Sequence, residues 1–124
     1  MAGELILIVE DNERNRRLVR DVLQFKGYRT IESETAEDGL LLAHERGPAL
    51  ILMDIQLPGM DGITALGRLR DDPVTRAIPV MAVTASAMTH DRQKIMAAGF
   101  DGYQTKPIRV KEFLEAVRLL LERP

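Results

Sequence analysis

Leu50-Ile51-Leu52-Met53-Asp54-Ile55-Gln56-Leu57-Pro58-Gly59-Met60-Asp61-Gly62 is the stretch whose reading decides the fold. Four apolar residues lead into an acid with no alternation of polarity, which predicts a strand buried on both faces. Pro58-Gly59 then forces a turn. Asp54 therefore falls at the carboxyl end of a buried strand. A carboxylate in such a place is costly unless something compensates it.

Working outward, Leu5 to Val9 is a second continuous apolar run, and it ends in Glu10-Asp11-Asn12. Asn12 can cap a following helix whose inward stripe is Leu18, Val19, Val22 and Leu23 and whose stop is Gly27. Tyr28 to Glu32 is mixed in polarity, as an edge strand is. Thr35-Ala36-Glu37-Asp38 resembles a capping box. It opens a helix that faces inward through Ala36, Leu40 and Ala43 and stops at Gly47-Pro48. Beyond Asp54, Asp61 can cap a helix from Gly62 to about Arg70, with Ile63 and Leu66 inward. Pro79 to Val83 is a fourth apolar run, ending at Thr84. A helix is expected from about Met88 to Ala97, and a short strand from Asp101 to Thr105 that ends at Lys106-Pro107. The last helix, about Arg109 to Glu122, turns Val110, Phe113, Leu114, Val117, Leu120 and Leu121 inward.

Strand and helix alternate five times along this sequence. That predicts an α/β fold, a doubly wound five-stranded parallel sheet covered by five helices. For the flavodoxin-like order 2-1-3-4-5, ligands sit where the order reverses, between strands one and three. The strand ends there carry Glu10-Asp11 and Asp54, and Thr84 and Lys106 follow in the row.

The bulk numbers narrow the function classes. The chain has 124 residues, a formal charge of −2, no cysteine and two histidines. It has the length of one domain with a real core. Its charge gives no reason to expect nucleic acid or an anionic membrane as partner. Disulfides and thiolate metal sites are excluded, and a zinc site is unsupported. No apolar run reaches membrane-spanning length, and a cytoplasmic setting fits best. The last helix ends almost at the C-terminus, so residues 1–124 are expected to form a single domain with no output domain attached.

Three carboxylates at one lip repel unless a cation joins them. Mg2+ prefers hard oxygen ligands. Asp11 and Asp54 are the expected ligands, with the backbone carbonyl of Gln56 as a further one. A carboxylate can also act as nucleophile and form an aspartyl phosphate. Lys106 would then offset phosphoryl charge, and Thr84 could donate its hydroxyl to a phosphoryl oxygen. Taken singly, each residue has a plainer reading: Glu10-Asp11 as a helix cap, Asp54 as a turn residue, Thr84 and Lys106 as surface groups. Their placement at successive strand ends favours a site. Arg14, Arg16, Arg17 and Arg20 read as a solvated helix face.

Ile6-Leu7-Ile8-Val9-Glu10-Asp11-Asn12, Ile51-Leu52-Met53-Asp54-Ile55-Gln56-Leu57-Pro58 with Gly62, Val83-Thr84-Ala85 and Tyr103-Gln104-Thr105-Lys106-Pro107 resemble the receiver domain of bacterial two-component response regulators, which has the CheY-like form of this fold. Stand-alone receivers of the DivK type are particularly similar. The resemblance implies that Asp54 accepts a phosphoryl group from a histidine kinase or histidine phosphotransfer protein. Asp11 would ligate Mg2+ directly and Glu10 more through water. It further implies a cis Lys106-Pro107 peptide and a Thr84/Tyr103 switch that alters contacts with a downstream protein. Arg14, Asn15, Leu18, Pro107 and Ile108 would receive the histidine-bearing partner. The resemblance also implies a signalling module that catalyses only its own phosphorylation and dephosphorylation, as a monomer or weak homodimer. A phosphohydrolase would want an acid where Gln56 stands. A flavin carrier would want a phosphate-cradling loop where Glu10-Asp11-Asn12-Glu13 places acids.

Overall fold

The computed structural model describes residues 3–85 and 89–122. The elements in chain order are β1 (Leu5–Val9), α1 (Glu13–Phe25), β2 (Arg29–Ser33), α2 (Ala36–Arg46), β3 (Leu50–Asp54), α3 (Gly62–Asp71), β4 (Val80–Thr84), α4 (Thr89–Ala97), β5 (Gly102–Thr105) and α5 (Val110–Leu121). The strands form one parallel sheet in the order β2-β1-β3-β4-β5. This is the order expected for the flavodoxin-like fold, with β1 and β3 adjacent at the reversal.

Alternate residues of the buried strands serve opposite faces. Ile6, Ile8, Leu50, Leu52, Met81 and Val83 pack with Val19 and Leu23 of α1 and with Phe113, Val117 and Leu120 of α5. Leu7, Val9, Ile51, Met53, Val80 and Ala82 pack with residues of α2, α3 and α4, among them Ala36, Ala43, Leu66, Leu69 and Ile95. Continuous apolar runs are therefore required, because neither face of β1, β3 or β4 meets water. β2 lies at the sheet edge and keeps its mixed pattern.

Local chemistry sets the helix starts. Asn12, Thr35 and Asp61 each accept a backbone N–H from three residues on, at 3.0, 3.1 and 2.8 Å. Gly47, at a φ of 55°, closes α2 in the left-handed conformation. Gly39 has a different reason. A Cβ there would come within 2.8 Å of Val9 Cγ2, so α2 can lie on β1 only where it has no side chain.

Several boundaries and faces differ from expectation. β4 continues through Thr84, because Lys106 N–H donates to the Thr84 carbonyl at 2.8 Å and extends the ladder. β2 begins at Arg29, whose N–H donates to Glu4. β5 begins at Gly102, because Asp101 turns its carboxylate onto the Val80 N–H at 2.8 Å. The expected helix start near Met88 lies outside the described residues. Leu18 and Val110, expected inward, are 43% and 47% exposed. Both sit on the shoulder of a helix whose central stripe already fills the space over the sheet. Arg16 leaves the solvated arginine face altogether: its side chain is only 12% exposed and is held by Glu32 and Glu34. Among the described residues, no helix is long and apolar enough to cross a membrane.

Phe113 is fully buried between α5 and the sheet, whereas Phe25 is 89% exposed. Phe113→Ala is expected to lower the unfolding free energy by about 3–5 kcal/mol. Phe25→Ala is expected to stay within roughly 0.5 kcal/mol of wild type. Urea denaturation of the two variants side by side checks the difference.

Candidate functional site

The parallel sheet sends every strand's carboxyl end to one lip. Glu10 follows β1, Asp54 ends β3, Thr84 ends β4 and Lys106 follows β5. Glu10 and Asp54 are buried, at 5% and 4% exposure, and Asp11 beside them is exposed. Carboxylate oxygens of Glu10, Asp11 and Asp54 lie within 4.8 Å of one another. At that range two like charges repel by about 3–4 kcal/mol at an effective dielectric of roughly 20.

Lys106 offsets part of this repulsion. Its Nζ lies 2.6 Å from Glu10 Oε1 and 3.1 Å from Asp54 Oδ2. Backbone amides complete the pocket: Asn12 N–H donates to Glu10 Oε2 at 3.1 Å, and Gln56 N–H donates to Asp54 Oδ1 at 3.0 Å. Gly62 makes the second of these turns possible. Its N–H donates to the Ile55 carbonyl at 3.1 Å, and an added Cβ would meet the Asp54 carbonyl oxygen at 2.5 Å. The start of α3 can therefore lie directly on the turn after Asp54.

The electrostatics follow from this crowding. Burial and a hydrogen bond with Asp54 push the Glu10 carboxyl up to about 7, against the pull of Lys106 and the Asn12 amide. Burial draws the Lys106 ammonium down, but its hydrogen bonds to Glu10 and Asp54 outweigh this and raise it. The set holds more negative charge than its one ammonium balances. Its hard oxygen donors, one of them on an exposed side chain, fit a divalent cation that keeps some of its water.

Thr84 is buried, and its strand position is one beyond Val83, the register partner of Asp54. Tyr103 pairs in register with Ala82 and is half-buried, with the Arg92 guanidinium 5.5 Å from its ring centroid. The Lys106-Pro107 peptide is cis. Asn15, Leu18, Pro107 and Ile108 line one small groove beside Glu10 and Lys106. Arg14 is exposed on α1 and does not line that groove. The Gln56 side chain is exposed, and its backbone amide serves Asp54. Sequence reasoning missed Arg16, whose guanidinium reaches the Glu10 carbonyl at 3.0 Å. A basic residue six positions after an acid gives no local signal of such a contact. It also missed Arg92, which only the packing of α4 on β5 brings to Tyr103.

A family model described as the response regulator receiver domain matches residues 6–118. The polar-differentiation response regulator DivK of Brucella ovis is 46% identical over 116 residues, 94% of each chain. Among solved structures, the receiver domain of a sensor histidine kinase from Pseudomonas aeruginosa PAO1 is similar at a TM-score of 0.91 and 31% identity, covering 98% of this chain and 100% of that one. That structure carries a magnesium ion coordinated in its active site cleft. A CheY-like response regulator receiver domain protein from Methanospirillum hungatei JF-1 is similar at a TM-score of 0.87 and 28% identity, covering 98% and 95% of the two chains.

The raised Glu10 group makes stability depend on pH in a fixed direction. Between its ordinary value of 4.5 and about 7, the unfolded chain loses the proton that the folded chain keeps. The folded state then binds more protons, so stability falls as pH rises through that window. Without divalent metal, Glu10→Gln is expected to flatten this slope. Chemical denaturation at several pH values from about 4.5 to 7 reads it.

Proposed function

The chain belongs to the response regulator receiver domain family, and on that premise we propose that Asp54 is the phosphoacceptor of a two-component phosphorelay. One observation carries this reading: a buried carboxylate at the switch point of the sheet, held by an ammonium and crowded by two further acids. The donor is a phosphohistidine of a histidine kinase or a phosphotransfer protein. A carboxylate oxygen of Asp54 forms the new bond to phosphorus as the P–N bond breaks. The electron pair of that bond returns to the imidazole nitrogen, and a proton from water leaves the ring neutral.

The chain's own residues prepare this step. The Gln56 amide and Lys106 fix the Asp54 carboxylate in one orientation before the donor arrives, which removes part of the entropic barrier. After transfer, the Lys106 ammonium faces the phosphoryl oxygens. Asp11, Asp54 and the Gln56 carbonyl would hold Mg2+, with Glu10 acting through water. When bound, the ion offsets the charge of the transferring group. Asn15, Leu18, Pro107 and Ile108 form the docking groove, and the exposed Arg14 is proposed to meet the same partner. Leu18 supports this assignment: an apolar side chain left 43% exposed beside the acidic pocket suits a partner helix.

The output is a change in protein contacts. Thr84 donates to the new phosphoryl group, and Tyr103 leaves its place beside Arg92 for the space that opens near β4. A downstream protein reads the changed surface of α4 and β5. A modification shifts such an equilibrium only by its differential interaction with the two states. We read the chain as a cytoplasmic receiver, monomeric or weakly dimeric, similar over 94% of its length to Brucella DivK.

Incubation with Mg2+ and acetyl phosphate is expected to add one acid-stable, base-labile phosphoryl group, seen by intact mass. An unchanged mass, or an adduct that persists in Asp54→Asn, removes the assignment. Thr84→Ala and Lys106→Ala are expected to lose most of the response around Tyr103 when beryllofluoride is added. Backbone NMR shifts over α4 and β5 measure that response, and a full wild-type pattern in Thr84→Ala would break the proposed coupling.

A further inference from the structure

Arg16 lies behind the acidic pocket rather than in it. Its side chain is 12% exposed, and its Nη1 donates to the Glu10 carbonyl at 3.0 Å. Nε lies 3.3 Å from Glu32 Oε1, and Nη2 lies 3.2 Å from Glu34 Oε1. Three edges of one planar fork thus meet three groups, on the end of β1, on β2 and on the loop after β2. Ordering a long side chain this completely costs conformational entropy. A surface ion pair returns little of that, so the fork's work lies elsewhere.

The carbonyl it holds belongs to the peptide that joins Glu10 to Asp11. Glu10 N–H is already fixed by the Ser33 carbonyl at 3.0 Å. With both backbone groups of Glu10 held, and the peptide itself planar, the direction in which the chain enters Asp11 is set. Asp11 is the exposed member of the acid cluster, in the first turn of chain after β1.

We infer that Arg16 is a positioning residue for the metal site: it anchors the Glu10–Asp11 peptide and so aims the Asp11 carboxylate at the cation. This rests on the reading of Glu10, Asp11 and Asp54 as an Mg2+ site. The fork, not the charge, is what matters. A guanidinium offers directional donors on three sides at once, and an ammonium on a similar stem does not. Glu32 and Glu34 serve as the frame that aims the fork.

The sign of the effect separates positioning from simple electrostatics. A positive charge beside a cation site opposes the cation, so removing it should tighten Mg2+ binding. Positioning predicts the reverse. Mg2+ titration of the full chain, followed by backbone NMR at Asp11, Asn12 and Gln56, gives the dissociation constant. Arg16→Met is expected to weaken binding by about tenfold or more, the usual loss when an outer partner of a metal ligand is removed. Arg16→Lys keeps the charge and is expected to fold even where Arg16→Met does not. It too should weaken Mg2+ binding, with a shifted Asp11 amide in the metal-free state. Thermal melts of the metal-free proteins run beside the titration, because a merely structural role lowers the melting temperature and leaves the dissociation constant of the folded protein unchanged. Affinity in Arg16→Lys equal to or tighter than wild type overturns the inference. Failure of the wild-type chain to bind Mg2+ overturns the metal site itself.

Discussion

Everything at the functional lip depends on the ammonium of Lys106 lying between two buried carboxylates, 2.6 Å from Glu10 and 3.1 Å from Asp54. Two acids at less than a tenth exposure cannot both stay ionised without a partner of this kind. The balance is left incomplete, because Asp11 adds a further negative charge within 4.8 Å. An unbalanced cluster of this sort is poor design for stability alone. It leaves an excess of negative charge that a cation can offset, and on the proposed reading it holds one carboxylate ready as a nucleophile.

The other end of the sheet carries an ionic contact built differently. Arg70 donates to the Arg76 and Ile78 carbonyls at 3.0 and 2.8 Å and to Asp101 Oδ2 at 2.8 Å. Asp101 also accepts the Val80 N–H. Here the Arg70 guanidinium meets the Asp101 carboxylate and its spare donors find carbonyls. The contact fastens the loop between α3 and β4 to the start of β5. The two ends of one sheet thus use the same residue types in different proportion, and the proportion distinguishes a clasp from a site.

The rigidity needed at the lip is built below it. Strands buried on both faces fix where Glu10, Asp54 and Thr84 leave the sheet, the half-buried β5 delivers Lys106 beside them, and short polar contacts fix how they leave. The Asn12 and Gln56 amides orient the two buried carboxylates. Gly62 allows α3 to press on the turn after Asp54, where a Cβ would collide with backbone. Arg16 holds the peptide between Glu10 and Asp11 from behind. A preorganised pocket of this kind pays its ordering cost at folding.

The sequence by itself determined the class of fold, the order of its elements and the residues of the acidic cluster. Short continuous apolar runs bounded by turn residues fit doubly buried strands, and in a parallel sheet acids placed directly after such runs emerge at one lip. Caps at Asn12, Thr35 and Asp61 were legible for the same reason: their hydrogen bonds are local, spanning three residues. The exposure of Leu18 and Val110 was not legible, because helical periodicity marks a broad stripe and only packing over the sheet decides which edge of it is covered. Arg16 read as one more solvated arginine, since its partners Glu32 and Glu34 lie on β2 and on the loop after it and its carbonyl acceptor leaves no trace in side-chain chemistry. The approach of Arg92 to Tyr103 and the reach of Lys106 across two strands to Glu10 likewise belong to the tertiary structure alone. Contacts within a few residues are written in local order, whereas contacts between distant segments exist only once the sheet has set their register.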